Sequence, residues 1–424
     1  MSDPPCECQP ADCDARVGEL RLRPLPVSPT ISRPLNFFTI LHLALVPATL
    51  RPPRRLRAAA LALLFTLGCQ GGRAPIVIGL AGPFSQPRGR SMKLAAELAV
   101  LEINRAGGVD GHPLALDVED DSASNARAIA VASKLRDSTR VVAVVGHLTS
   151  GTTIAAADIY NGGANPVAAI SPSASNPDLT GIGKYTFRVC ATDLVHGTTL
   201  ARYAVRELGA RNAAVIYQND DYGRGILGTF SDEFRRLGGR IVAQNPVLLT
   251  TQDLGPYLER IKREGRAQVL MVATERIPAV AVLRQARARG INLPIIGGDA
   301  LTGIESEGAI AEGVHLTSNY LPDKPGERNA AFLRAYAAAS GGERPDHRGA
   351  GAYDAVYLIA DAIRAAGGTS RARVQQALAQ LGHQRPAYEG VTGRITFDGR
   401  GDVPDKPVLV GVVRGGHIVL AGGS

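Results

Sequence analysis

The chain has 424 residues, 45% of them hydrophobic and 20% charged, a globular composition well removed from that of a disordered chain. At roughly 150 residues per domain it exceeds a single small domain and can bury two to three cores. Residues 1–75 hold nine Arg against five acids and so supply +4 of the net charge of +8; the remaining body is only mildly basic and has no Lys/Arg-rich run. That body lacks an electrostatic footprint for nucleic acid, and the absence of Trp with only 5% aromatics leaves little for stacking on single strands.

Residues 1–50 are rich in Pro, Arg and Cys without periodicity and read as a non-native or disordered extension. From Arg51 the order is RPPRRLR, AAALALLFTL and Gly68-Cys69-Gln70, the layout of a secretory signal peptide over 51–69. Its apolar run, Ala58 to Leu67, is about half of the roughly 20 residues that a helical membrane span needs. Gly68-Cys69 resembles a bacterial lipobox, with Thr66 and Leu67 departing from the preferred residues, and makes Cys69 the candidate lipidation site. A leader so far from the first residue points to a misplaced start, at a non-AUG codon such as that of Val46 or Leu50, since no Met lies between Met1 and Met92. The alternative is that Leu35 to Val46 belongs to a longer targeting segment.

Past Ile76, short β-branched runs alternate with amphipathic stretches. Ile76 to Leu80, Leu114 to Val118, Val141 to Val145, Val167 to Ile170, Ala213 to Tyr217, Val269 to Ala273 and Pro294 to Ile296 read as strands. Most are apolar throughout, as strands buried on both faces of a parallel sheet are. Helical spacing appears at Leu94, Leu98 and Leu101, at Ile226, Phe230, Phe234 and Leu237, and at Val356, Ile359 and Ile363. The class is α/β with more than one doubly wound sheet.

Catalytic and metal chemistry finds little support. The cysteines are Cys6, Cys8, Cys13, Cys69 and Cys190, and no His of the eight pairs with another His or Cys at ligand spacing. Gly223 to Gly228 matches G-x-G-x-x-G, but Gln218 to Tyr222 intervene after the strand and no acid ends the next one, so a glycine-rich helix start is the better reading. There is no G-x-S-x-G elbow, and Asp120-Asp121 has no partner in sequence to divide acid and base roles.

Two hydroxyl clusters are more informative. Gly146-His147-Leu148-Thr149-Ser150-Gly151-Thr152-Thr153 follows one strand and precedes a helix beginning near Thr152; Ser171-Pro172-Ser173-Ala174-Ser175-Asn176 follows the next strand. A helix's first turn has spare N–H donors and a positive dipole end, which suit a carboxylate. Loops at the carboxyl ends of parallel strands are where open α/β sheets bind ligands. Ordinary N-capping by Ser and Thr is the competing explanation.

Those loops, together with Phe187-Arg188-Val189, Asn219-Asp220-Asp221-Tyr222-Gly223, LRQARARG (283–290), GGDAL (297–301), AYDAVYLIADAI (352–363) and GRITFDGRGD (393–402), resemble the substrate-binding proteins of branched-chain amino-acid ABC transporters. The resemblance covers about 75–420. It implies a type I periplasmic-binding-protein fold: two doubly wound parallel-sheet lobes joined by three hinge crossings, here 76–192 with 320–404 and 193–319 with 405–424. It further implies that Ser150, Ser173 and Ser175 hold a ligand carboxylate, that Tyr222 faces the ligand, and that Asp299 pairs with its ammonium. Where relatives carry tyrosines, this chain has Glu275 and Arg276, which either reach a polar ligand side chain or pair with each other at the surface. The loop 82–92 is about three residues shorter than in relatives.

The resulting expectation is a periplasmic or otherwise extracytoplasmic binding protein with no catalytic residues, metal or cofactor. It captures a small amino acid, branched-chain or a related carboxylate, and delivers it to ABC permease subunits, touching the membrane only through an N-terminal lipid at Cys69 and binding no nucleic acid. A ligand-sensing module on the same fold is the alternative. An enzyme using the cleft is the less favoured reading, since no activated nucleophile is evident.

Overall fold

The structure, a computed structural model, describes residues 73–422; the extension at 1–50, the leader at 51–69 and Cys69 lie outside them. The first part of the described chain runs β1 (Ile76–Gly82), α1 (Pro87–Arg105), β2 (Leu114–Asp120), α2 (Asn125–Asp137), β3 (Val141–Val145), α3 (Ser150–Asn161), β4 (Ala168–Ser171) and β5 (Thr186–Arg188). Its strands form a parallel sheet in the order β2-β1-β3-β4-β5. Every residue of the β3 run VVAVV is buried, because helices cover both faces of the sheet.

The chain then builds a second sheet from α4 (Asp193–Arg206), β6 (Asn212–Gln218), α5 (Asp221–Arg236), β7 (Arg240–Val247), α6 (Gly255–Glu264), β8 (Val269–Ala273), α7 (Arg276–Ala288), β9 (Ile295–Gly297) and β10 (His315–Ser318). It returns to the first sheet as α8 (Glu327–Ser340), α9 (His347–Ala366), α10 (Arg371–Ala379) and a small hairpin, β11 (Tyr388–Gly390) with β12 (Gly393–Ile395). Helix α9 packs along α1, and 15 of its 20 residues are buried. A last crossing adds β13 (Leu409–Arg414) and β14 (His417–Leu420) to the second sheet, in the order β14-β13-β10-β9-β8-β6-β7. The passages between the sheets thus number three.

The second sheet is mixed rather than wholly parallel. β13 runs antiparallel to β10, and β14 to β13. The two-residue turn Gly415-Gly416, with φ of 56° and 79°, reverses the chain between β13 and β14, a geometry that glycine adopts without strain and that matches hairpin twist. Separate apolar cores support the sheets: one centres on Ile78, Met92, Ile170, Val356 and Phe397, another on Ile216, Leu258, Leu270 and Leu316.

The G-x-G-x-x-G pattern lies wholly inside α5. A Cβ at Gly223 would stand 2.0 Å from the Gln218 carbonyl oxygen, and one at Gly225 would stand 2.8 Å from Asn176 Nδ2 and Asp193 Oδ2. These two glycines permit close packing rather than phosphate binding. No described helix is long and apolar enough to cross a membrane.

Two of the sequence motifs meet at Arg188. Its side chain is buried, its Nε donates to Asp402 Oδ1 at 2.6 Å, and its Nη1 donates to the carbonyls of Asn176 at 2.8 Å and Ala174 at 3.3 Å. Asp402 also accepts from Thr180 Oγ1 at 2.8 Å. One guanidinium therefore pins the 171–176 loop to the segment that ends the 393–402 motif. Arg188→Ala leaves Asp402 buried without its cation and should cost about 3–5 kcal/mol in urea denaturation; a loss below about 1 kcal/mol would contradict this role.

Candidate functional site

The first hydroxyl cluster owes its shape to buried polar anchoring beneath it. His147 Nδ1 lies 2.6 Å from Asp121 Oδ2 and its Nε2 lies 3.1 Å from the Tyr160 hydroxyl, all three buried. The His147 carbonyl accepts from Ser171 Oγ at 2.7 Å and Thr153 Oγ1 at 3.2 Å. These bonds clamp the loop after β3 to the loop after β4. They also answer the Asp120-Asp121 question: Asp121 is a structural partner of His147.

Helix α3 begins at Ser150, two residues before the position read from sequence, because Thr149 is the N-cap and accepts from the Thr152 amide. Ser150 is 2% exposed, and its Oγ accepts from the Asn176 amide at 3.3 Å. Its position in the first turn places hydroxyl, N–H groups and the positive end of the helix dipole at one spot. Ser173 Oγ stands 3.2 Å from His347 Nε2.

The second sheet supplies the opposite wall. Asp220 caps α5 by accepting from the Gly223 amide at 2.8 Å, which sets Tyr222 in the first turn, buried, with its hydroxyl accepting from the Ala300 amide at 3.3 Å. Asp299 opens the short turn after β9. It is 2% exposed, and neither carboxylate oxygen makes a hydrogen bond; the imidazole of His347 is its neighbour, with Nε2 3.5 Å from Oδ2. A buried carboxylate without donors is rare in a native structure; Asp193 is a second one here, with both oxygens likewise unpartnered.

Ser150, Ser173, Tyr222, Glu275 and Asp299 line one cavity with Arg88, Leu148, Thr149, Ala300 and Arg348. Two of the candidates do not reach it. Ser175 is fully buried beside Asp193, and Arg276 turns outward to Glu307 at 3.3 Å and to Ser306 Oγ at 3.1 Å. Glu275 and Arg276 do not pair with each other: Glu275 Oε1 meets Arg88 Nη1 at 2.5 Å. Adjacent residues at a helix start diverge by about 100°, so both cannot face one wall.

Arg88, His347 and Arg348 escaped the sequence reading. A signal for the last two existed: both are basic residues in the first turn of α9, where the dipole disfavours positive charge, immediately after the N-cap Asp346. Arg348 is nevertheless held charged; burial works against it, and Asp346, Glu275 and Asp299 together outweigh burial and raise its pKa. Burial also pushes the Cys190 thiol up to about 12, which removes it as a nucleophile. Among the described residues no group of His, Cys, Asp and Glu is placed to hold a metal ion.

Residues 73–417 match the family described as periplasmic binding protein. The Leu/Ile/Val-binding protein homolog 1 of Brucella abortus is 28% identical over 346 residues, 80% of this chain and 90% of that protein. Among solved structures, the branched-chain amino acid transporter substrate binding protein LivJ of Streptococcus pneumoniae, in complex with isoleucine, is 29% identical with a TM-score of 0.72, over 82% of this chain and 100% of that one. An ABC transporter substrate-binding protein of Desulfitobacterium hafniense, in complex with Leu, is 30% identical with a TM-score of 0.72 and the same coverage.

His347 joins the two walls, from Ser173 to Thr302 Oγ1 at 3.2 Å from its Nδ1. Burial first, then the Arg348 charge, lowers its pKa from 6.5 to about 4. The native state therefore binds fewer protons than the unfolded chain between those values. This contribution is complete above pH 6.5 and is lost as pH falls toward 4. Urea denaturation at pH 7.5 and 4.5 should show the wild type losing about 2–3 kcal/mol more than His347→Gln across that interval; equal losses would contradict a buried neutral imidazole.

Proposed function

The chain belongs to the periplasmic binding protein family, and from that membership and the chemistry of its cavity we propose that it is an extracytoplasmic solute-binding protein for a small α-amino acid. In this reading it delivers the ligand to the permease subunits of an ABC transporter and catalyses nothing. The leader at 51–69 exports it, and a lipid on Cys69 tethers it to the membrane. Its halves, 76–192 with 320–404 and 193–319 with 405–424, close on the ligand.

The observation that carries the proposal is the unpartnered carboxylate of Asp299 facing the start of α3 across the cavity. An amino-acid zwitterion complements both at once. Its carboxylate takes donors from Ser150, Ser173 and the first-turn amides, while its ammonium gives Asp299 the charge-assisted hydrogen bonds that it lacks. Because Ser150 belongs to one sheet's loops and Asp299 to the other's, both ends of the ligand are satisfied only when the halves are together, so binding energy drives closure. Tyr222 holds the turn after β9 through the Ala300 amide. Burial, then Asp299 and Asp193, raise its pKa well above the usual range, so it stays a neutral wall.

Thermal unfolding in the presence of small amino acids tests this. A ligand at about 1,000 times its Kd adds about 4 kcal/mol to the native state and raises Tm. Asp299→Ala should remove at least about 2 kcal/mol of that gain at the same concentration. An equal Tm shift in both proteins, or a shift given only by carboxylates without an amine, would contradict the proposal.

A further inference from the structure

Ion pairs form part of the cavity wall. Arg88 Nη1 and Glu275 Oε1 meet at 2.5 Å, each side chain 14% exposed, and Arg88 Nε donates to Gln86 Oε1 at 3.0 Å. Arg348 Nη1 is 3.1 Å from Asp346 Oδ2, and its Nη2 reaches the Ala300 carbonyl at 3.4 Å. Apolar lining is confined to Leu148, the Tyr222 ring and Ala300.

We propose that the cavity selects neutral α-amino acids whose side chain both donates and accepts hydrogen bonds, carboxamides and hydroxyls, over aliphatic ones, and that Arg88 and Glu275 read that side chain. This rests on the amino-acid reading above and adds the ligand's class to it. A guanidinium offers five N–H donors and a carboxylate about four acceptor positions, so one ion pair leaves both partners with unused capacity. An aliphatic side chain pressed against them takes their water and returns nothing. A charged side chain fares no better. Arg88 and Arg348 each already hold a carboxylate, and an added anion or cation displaces one member of a pair and strands it in a poorly hydrated space. A carboxamide instead gives its N–H to Glu275 and takes an N–H from Arg88, leaving the pair intact. The pair also bridges the walls, Arg88 on α1 and Glu275 at the start of α7, so reading the side chain is coupled to closure.

Isothermal titration of the purified protein with Asn, Gln, Ser, Thr, Leu, Ile, Asp, Glu and Lys tests the inference. The tightest of Asn, Gln, Ser and Thr should bind at least about tenfold more tightly than Leu, Ile or any charged member. The double variant Arg88→Met/Glu275→Leu should shrink that preference to within about threefold, or reverse it toward Leu. Leu or Ile binding as tightly as the best polar amino acid overturns the inference and leaves amino-acid capture standing. So does a charged amino acid binding most tightly. Failure of all nine amino acids to bind, with an amine-free carboxylate binding instead, overturns the amino-acid reading and this inference with it. Should the double variant not fold, the wild-type ranking decides by itself.

Discussion

Asp299 buries a carboxylate in the space between two sheets and gives it no hydrogen bond, and the surrounding titratable groups register its presence. Burial first, then Asp299, raises the Asp193 pKa well above the usual carboxylate range. His196 is lowered by burial, with Asp299 opposing, and His347 stays neutral although Asp299 is 3.5 Å away. The two nearby imidazoles are thus held from supplying the missing cation, and Arg348 is committed to Asp346. A buried charge without a partner is costly until a cation enters, and on the proposed reading that cost is what gives a ligand ammonium its selective advantage.

The rest of the fold serves to keep the opposite wall in register with that carboxylate. Arg188 and Ser171 fix the loops that carry Ser150 and Ser173 by hydrogen bonds to backbone carbonyls, and His147 anchors the first of those loops through its own ring, to the Asp121 carboxylate and the Tyr160 hydroxyl. Arg371 does the same at the other end of the first sheet, donating to the carbonyls of Val141 at 2.8 Å and of Arg136 at 2.7 Å. Buried, fully engaged side chains hold loop geometry more firmly than apolar packing alone, because each is costly to leave unpaired. The donor-rich wall is therefore preorganised, so that a ligand bound there need not pay to order these loops.

The strands at the centre of each sheet were legible because complete burial leaves an unbroken apolar run: Val141–Val145 and Val269–Ala273 have the same limits in the sequence and in the structure. The start of α3 was misplaced by two residues because several hydroxyls compete for the N-cap and only the backbone reveals that Thr149 wins. The β13–β14 hairpin was not anticipated, since it departs from the alternation of strand and helix that the rest of the body follows. At the cavity, Ser150, Ser173, Tyr222 and Asp299 lie in contiguous motifs at strand ends, where position alone points to a ligand. Arg88 and Arg348 come from helices far apart in the chain, and periodicity carries no information about such a meeting. Arg276 shows the converse limit: being beside Glu275 in sequence says nothing about which of the two faces the cavity.

The central claim is that Asp299 is completed by the ligand's ammonium. The most direct measurement is calorimetric, comparing the tightest-binding amino acid with its deaminated counterpart, the carboxylic acid bearing the same side chain. Loss of the amine should weaken binding at least about a hundredfold, the cost of leaving a buried charge without its partner. Equal affinity for the two compounds would contradict the claim, leaving the donor-rich loops as a carboxylate site and Asp299 without a ligand role.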